Sequence, residues 1–407
     1  MSYVIVIASL LAIVFIHELG HFGVALLVGM RPRSFYVGFP PAIVKIKRRG
    51  IEYGIGAIPL GGFVRIPGMH RPSPRDLQLL LEPAISEEPS LAPAALRVRR
   101  ALTAEDYAAA RAAYPELEAA VTDANLSSGA ARSAKRALRD VEEGTAPDAY
   151  WHAPTWKRVA VIAAGPGANV LAAFLILFVL FATSGVPRAS TNEVGGVEAG
   201  TPAAHAGLHA GDRIVAVNGK PAPTFDAISR LIRASQGTPV TVTVTRHGHR
   251  LVLGPERTVR QNGAWIWGFH NATTFVHVGV GSAATEAATD LKSAVSEWIS
   301  TIGSLFHAQT QNISSGIGIT RAGATALNEG ARYYFDFLAL ISIALALMNL
   351  LPLLPLDGGH ILFSLIEGVR RRALAREVYE RVSIAGIALL LLVFVIAIQN
   401  DTGHVFG

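Results

Sequence analysis

Cysteine is absent from the chain. That excludes structural disulfides and cysteine-based metal sites, and leaves the redox compartment unspecified. Charge is scarce as well: Asp, Glu, Lys and Arg make up 16% of the 407 residues, against about 25% in an ordinary soluble domain. No stretch interleaves basic and aromatic residues, which argues against a nucleic-acid partner. What fills the deficit is hydrophobic sequence, 51% of the chain, with a positive mean hydropathy. The net charge of +6 is modest. This balance is that of a membrane protein.

Apolar runs of about 20 residues are candidate spans, and four occur: within 1–30, 156–184, 335–366 and 381–399. No basic residue precedes the first and no small-residue cleavage signal ends it, so it reads as a retained span. Basic residues in short loops set orientation. Arg31, Arg33, Lys45, Lys47, Arg48 and Arg49 follow the first span; Arg370, Arg371, Arg372 and Arg376 separate the last two. Four spans put both clusters on one side, so 31–158 and 367–380 are expected to be cytoplasmic. Both termini and the segment from about 185 to 332 then face outward.

Between the spans the chain changes character. Residues 31–70 contain alternating apolar and polar positions around Gly50, a β-hairpin pattern. Residues 71–150 are rich in Ala, Arg, Glu and Pro. "LTAEDYAAARAAYPELEAAV" reads as an amphipathic helix capped at Thr103, and the insert shows no chemistry of its own. Residues 186–260 read as a separate β-rich domain, with "TVTVTR" and "RLVLG" flanking a turn and "FDAISRLIRAS" as a short helix. Residues 261–334 read as an amphipathic helix and linker.

The first span ends in an expensive way. Val14 to Phe22, "VFIHELGHF", places two histidines and a glutamate in apolar sequence, where ionisable groups cost about 2.5–3.5 kcal/mol even on the lenient insertion scale. His17 and His21 are four apart, so a helix puts both imidazoles on one face. That spacing suits zinc, with Glu18 between them placed as general base. Catalytic zinc needs a third protein ligand and an open position. In "NLLPLLPLDGGH", Asp357 lies in apolar sequence behind Pro352 and Pro355, which cannot continue a helix, and before Gly358 and Gly359. Broken helices at membrane depth line cavities or are buried in protein. Asp357 is therefore the expected third ligand, with His360 the alternative. Asn169 and Asn349 are the other polar residues in spans; such amides often only join neighbouring helices, although Asn349 leans towards a substrate contact.

Four motifs in order, His17-Glu18-Leu19-Gly20-His21, Gly61-Gly62-Phe63-Val64, Ala164 to Asn169 ("AGPGAN") and Asn349 through Asp357-Gly358-Gly359, resemble the site-2 protease family of intramembrane zinc metalloproteases. Val194 to Gly219 resembles a circularly permuted bacterial PDZ domain, so the likeness is to the RseP-like branch, here with one PDZ domain. The resemblance implies an α-helical polytopic membrane protein with four transmembrane helices, a membrane-associated β-hairpin and an inserted α+β PDZ domain. It implies Zn2+ on His17, His21 and Asp357, and Glu18 as base. It also implies substrate contacts from Asn349, Asn169, Gly61, Gly62 and Phe63, and a carboxylate-binding segment at Val194, Gly195, Gly196 and Val197. The expected location is a bacterial inner membrane, with the PDZ domain extracytoplasmic. The expected substrates are single-span membrane proteins, an anti-σ factor already cut by another protease among them. The 71–150 insert is longer than the family needs there. Two other classes compete. A non-catalytic PDZ scaffold with a structural metal has no use for Glu18. A metal transporter would spread acids and histidines through several spans, whereas the second and fourth have none at their centres.

Overall fold

The computed structural model describes all residues except 70, 189–191, 262–263, 306–315, 375 and 404–407. It contains four helices long and apolar enough to cross a bilayer, as the apolar runs require. The first, α1 (Ser2–Leu27), is followed by β1 (Ser34–Arg48) and β2 (Ile51–Arg65). Arg49 and Gly50 both take positive φ, the two-residue turn whose twist matches a hairpin. The register is more elaborate than one hairpin. Ser34–Val37 is flanked on one side by Glu52–Ile55 and on the other by Gly62–Arg65, while Val44–Arg48 returns against Ile51–Ile55. Gly62–Arg65 thus forms one outer edge of the folded-back sheet.

The insert folds into four helices, α2 (Pro74–Glu87), α3 (Ala92–Thr103), α4 (Tyr107–Asp123) and α5 (Ser128–Gly144), around their own core. Leu77, Leu81, Val98, Leu117, Ala134 and Val141 are among its buried side chains. This corrects the expected cap at Thr103, which is the last residue of α3. The chain breaks at Glu105, whose φ is positive, and α4 begins from Asp106, whose Oδ1 accepts from the Ala109 N–H at 2.9 Å. Asp is a stronger N-cap than Thr and lies where the hydrophobic period restarts.

The long helix α6 (Thr155–Ser184) is the second candidate span and leads out of this first compact unit, which comprises Met1–Leu177 and Thr289–Gly407. The second unit, Phe178–Ala288, contains β3 (Val186–Arg188), β4 (Val194–Val197), the short α7 (Pro202–His205), β5 (Arg213–Val217), β6 (Lys220–Pro221), α8 (Phe225–Arg233), β7 (Pro239–Arg246), β8 (His249–Arg257), β9 (Val259–Gln261), β10 (Ala264–Ile266), β11 (Phe269–Asn271) and β12 (Thr274–Val276). A four-stranded sheet of order β6-β5-β7-β8 packs Ile214, Val240, Val242 and Val244 against Ile228 and Ile232 of α8. The strands continue past residue 260 into the segment read as helix and linker. Trp267 is buried in the same core, and β11 pairs with β4. Asp212 ties this unit's turns together. Arg246 donates Nε and Nη2 to its two oxygens, both at 2.7 Å, and the His209 N–H donates at 2.9 Å. Burial opposes ionisation of Asp212, but these donors outweigh it and hold its pKa below the usual value.

The remaining helices are α9 (Val280–Leu305), α10 (Gly316–Glu329), α11 (Ala331–Asn349), α12 (Asp357–Arg370) and α13 (Arg376–Gly403). Ala331–Asn349 and Glu377–Gln399 are the third and fourth candidate spans. Helix α10 packs against α1 and α11. The third apolar segment is interrupted at 350–356 before α12 begins, which places Asp357 in the first turn of a new helix. A carboxylate there complements the positive end of the helix dipole.

Candidate metal centre

Helices α1, α6 and α12 build the site. One α1 face carries His17 and His21, which are 6% and 7% exposed, with ring centroids 4.8 Å apart. The break before α12 swings the Asp357 carboxylate against them. Asp357 Oδ2 lies 3.1 Å from His17 Nε2 and 3.3 Å from His21 Nε2, and the two imidazole nitrogens are 3.2 Å apart. This is the described cluster of His, Asp and Glu side chains able to hold a metal ion; His360 is not part of it.

The protonation pattern explains why these atoms need a cation. His21 Nδ1 donates to the Val161 carbonyl at 2.8 Å, which leaves Nε2 of a neutral ring with a bare lone pair. Asp357 Oδ2 is buried, and its polar neighbours are the Nε2 nitrogens of His17 and His21. Lone pairs that converge without protons repel unless a positive charge joins them. Their spacing fits zinc: bonds of about 2.0–2.1 Å put tetrahedral ligand atoms about 3.3–3.4 Å apart.

Helix α6 supplies the outer support. Asn169 is fully buried and its amide faces His17, Nδ2 lying 3.4 Å from Nδ1, while Asn169 Oδ1 has no partner. The two ends of an amide are assigned from their hydrogen bonds. Exchanging them lets His17 Nδ1–H donate to the amide oxygen, satisfies both groups and frees His17 Nε2 for metal, as His21 already is. Gly165 lies directly on the second ring: a Cβ added there would sit 2.2 Å from His21 Nε2. The AGPGAN motif thus packs against both imidazoles, Asn169 at His17 Nδ1 and Gly165 at the Nε2 side of His21. Sequence singled out Asn169, but its direction depends on how α6 is rotated against α1. Val161 was invisible to sequence because it contributes only a backbone oxygen.

Glu18 adjoins the edge strand. A Cβ on Gly62 would meet Glu18 Cγ at 2.9 Å, and the Val64 N–H hydrogen-bonds the Glu18 carboxylate. Gly61 has a positive φ and packs on the Phe39 ring, and Phe63 stacks on Tyr36 at 5.1 Å. Asn349 lies at the end of α11, where its amide donates to the Leu345 carbonyl at 3.0 Å. Val194–Val197 is paired on one side along its length and at Val194 on the other. β4 pairs with β11 on one side, and on the other Val194 N–H donates to the Asp212 carbonyl at 2.7 Å and its carbonyl accepts from Gly211 at 2.8 Å. Among the described residues, the edge left over in this pairing is β11, Phe269–Asn271.

A buried His-His-Asp cluster with a glutamate beside it, built from a span-length helix and the short helix that follows the break after the third span, defines a membrane-embedded metallohydrolase site. The family model described as peptidase family M50 matches residues 5–393, and the chain belongs to that family. Among similar proteins, "Regulator of sigma-W protease RasP" of Bacillus subtilis is 29% identical over 100% of this chain and 98% of its own length. "Putative zinc metalloprotease Atu1380" of Agrobacterium fabrum is 28% identical over 99% of this chain and 95% of its own. "Metalloprotease MmpA" of Caulobacter vibrioides is 28% identical over 98% and 96%. The protein is thus a zinc metalloprotease with an integral membrane architecture.

Proposed function

We propose that the protein is an intramembrane endopeptidase that holds zinc with His17, His21 and Asp357 and uses Glu18 as general base. The observation that carries this reading is the convergence of three ligand atoms beside Glu18, two from the span-length α1 and one from the first turn of α12. Zinc bound there would make hydroxide available near neutral pH. Glu18 takes the proton from the attacking water and returns it to the leaving amine. The Val64 N–H holds the Glu18 carboxylate in place between these transfers.

A transmembrane substrate presents helical peptide bonds that must become extended before attack. The Gly62–Arg65 edge suits this task, since strand addition holds an incoming chain extended by main-chain hydrogen bonds, and it runs directly past Glu18. The substrates are single-span membrane proteins. The name of the Bacillus subtilis relative refers to sigma-W regulation, which favours an anti-σ factor among them. Residues 186–276 act as a PDZ domain that admits trimmed substrates, and the free β11 edge is the place for a peptide end rather than Val194–Val197. The protein sits in a bacterial inner membrane with this domain outside the cytoplasm.

The test is cleavage of a model single-span substrate by purified protein. Glu18→Gln is expected to bind zinc at wild-type stoichiometry and to lose cleavage by several orders of magnitude. Equal cleavage by the variant would refute the assignment of the base.

A further inference from the structure

A polar cavity of about 300 Å³ lies away from the metal cluster, where α6, α12 and α13 meet Met69, Arg71 and Trp151. Four arginines line it: Arg71, Arg158, Arg371 and Arg372. The acid in its lining, Glu367, is already engaged. It accepts from Arg158 Nη1 at 2.6 Å and from the Leu374 N–H at 2.9 Å. Arg71 pairs at 3.9 Å with Glu105, which lies outside the lining, so Arg371 and Arg372 are the two lining arginines with no acid partner among the described ion pairs. Arg158 is only 8% exposed, and its Nε is buried without a hydrogen-bond partner. That one N–H costs free energy while it lacks an acceptor, although Nη1 is already held by Glu367. Arg71 is held over the Trp151 ring at 4.8 Å, which fixes another guanidinium at the rim.

Planar, multi-donor guanidinium groups recognise phosphate better than any other side chain. The surroundings suit a lipid source. Trp156 is 63% exposed at the start of α6, and Val369 is 86% exposed on α12 beside the cavity. An exposed Trp at the end of a span is an interfacial anchor, so the cavity opens at headgroup depth.

We propose that this cavity binds a phosphate group, as carried by an anionic phospholipid headgroup or by a soluble phosphate. The site joins the helix that supports both histidines to the far end of the helix that supplies Asp357, α12 being 14 residues or about 21 Å long. Occupancy clamps α6 to α12 and stabilises the arrangement that assembles the metal cluster. This rests only on the cavity and its charges, so it stands or falls independently of proteolytic activity.

The experiment uses the full chain and reads binding and thermal stability, with no cleavage step. In one arm, phosphatidylglycerol is titrated onto detergent-solubilised protein and counted by native mass spectrometry, with phosphatidylcholine as the neutral comparison. In the other, inorganic phosphate is titrated at constant ionic strength and followed by thermal unfolding. The exposed double variant Arg371→Gln/Arg372→Gln is expected to weaken binding about tenfold or more, and so is Arg158→Gln where it folds. Arg48→Gln/Arg49→Gln, which removes the same charge from the hairpin turn, should leave binding unchanged. Binding of phosphatidylglycerol alone assigns the site to a headgroup; binding of inorganic phosphate as well assigns it to a soluble phosphate. Equal binding by wild type and Arg371→Gln/Arg372→Gln, or equal loss in Arg48→Gln/Arg49→Gln, overturns the proposal.

Discussion

Asn169 is the residue whose orientation decides how His17 presents its lone pair. If the amide oxygen accepts from His17 Nδ1–H, an aspartate at 169 can do the same and an alanine cannot. Asn169→Ala should then lower zinc affinity by about 10–100-fold, the usual effect of losing such a partner, while Asn169→Asp stays close to wild type. Competition against a chelator checks both, and a zinc affinity in Asn169→Asp as poor as in the alanine variant would show the amide nitrogen to be the contact. Asp212 makes a separate case in the second unit. Its folded pKa is depressed because Arg246 and the His209 N–H outweigh burial. A depressed carboxylate stabilises the fold above its unfolded value of about 3.9 and loses that contribution as pH falls through the folded value. The wild type should therefore lose melting temperature as pH is lowered through and below about 4. Asp212→Asn should melt lower at neutral pH and show less of that acid dependence.

At the level of elements, the insert offers the clearest test of local reasoning. Asp106→Ala removes the acceptor for the Ala109 N–H and should destabilise the α2–α5 core by about 1 kcal/mol, measured by chemical unfolding. Thr103→Ala should cost little, because the Thr103 hydroxyl only bonds back to the Arg99 carbonyl within α3. The contrast also shows what sequence can carry. The four spans were legible because a bilayer demands long apolar runs, and the break before Asp357 was legible because Pro352 and Pro355 forbid a continuous helix. His17 and His21 were legible because helical spacing alone puts them on one face. The double flanking of Ser34–Val37 was not, since strand order depends on pairing between segments that are distant in sequence. β10, β11 and β12 are three residues each, too short to show a period. The restart of the helix at Asp106 was hidden because Thr103 and Asp106 are both good caps, and only the turn at Glu105 separates them.

At the scale of the whole molecule, the absent cysteine makes the side of the membrane on which each part lies measurable without background. The basic residues after α1 and between α12 and α13 both argue for the same compartment. The insert is thus predicted inside the cell and the β-rich unit outside. Arg132 in α5 and Arg250 in β8 are both exposed and take no part in the metal cluster. Arg132→Cys and Arg250→Cys should each give one accessible thiol. A membrane-impermeant maleimide added to intact spheroplasts should label Arg250→Cys and spare Arg132→Cys, and lysis should make both reactive. The reverse pattern would invert the chain in the bilayer. The β-rich unit could then not sort substrates outside the cell, and the arginine cavity would face the opposite leaflet. Labelling of both positions before lysis would mean that the two basic clusters do not share a compartment, and the four-span arrangement itself would have to be redrawn.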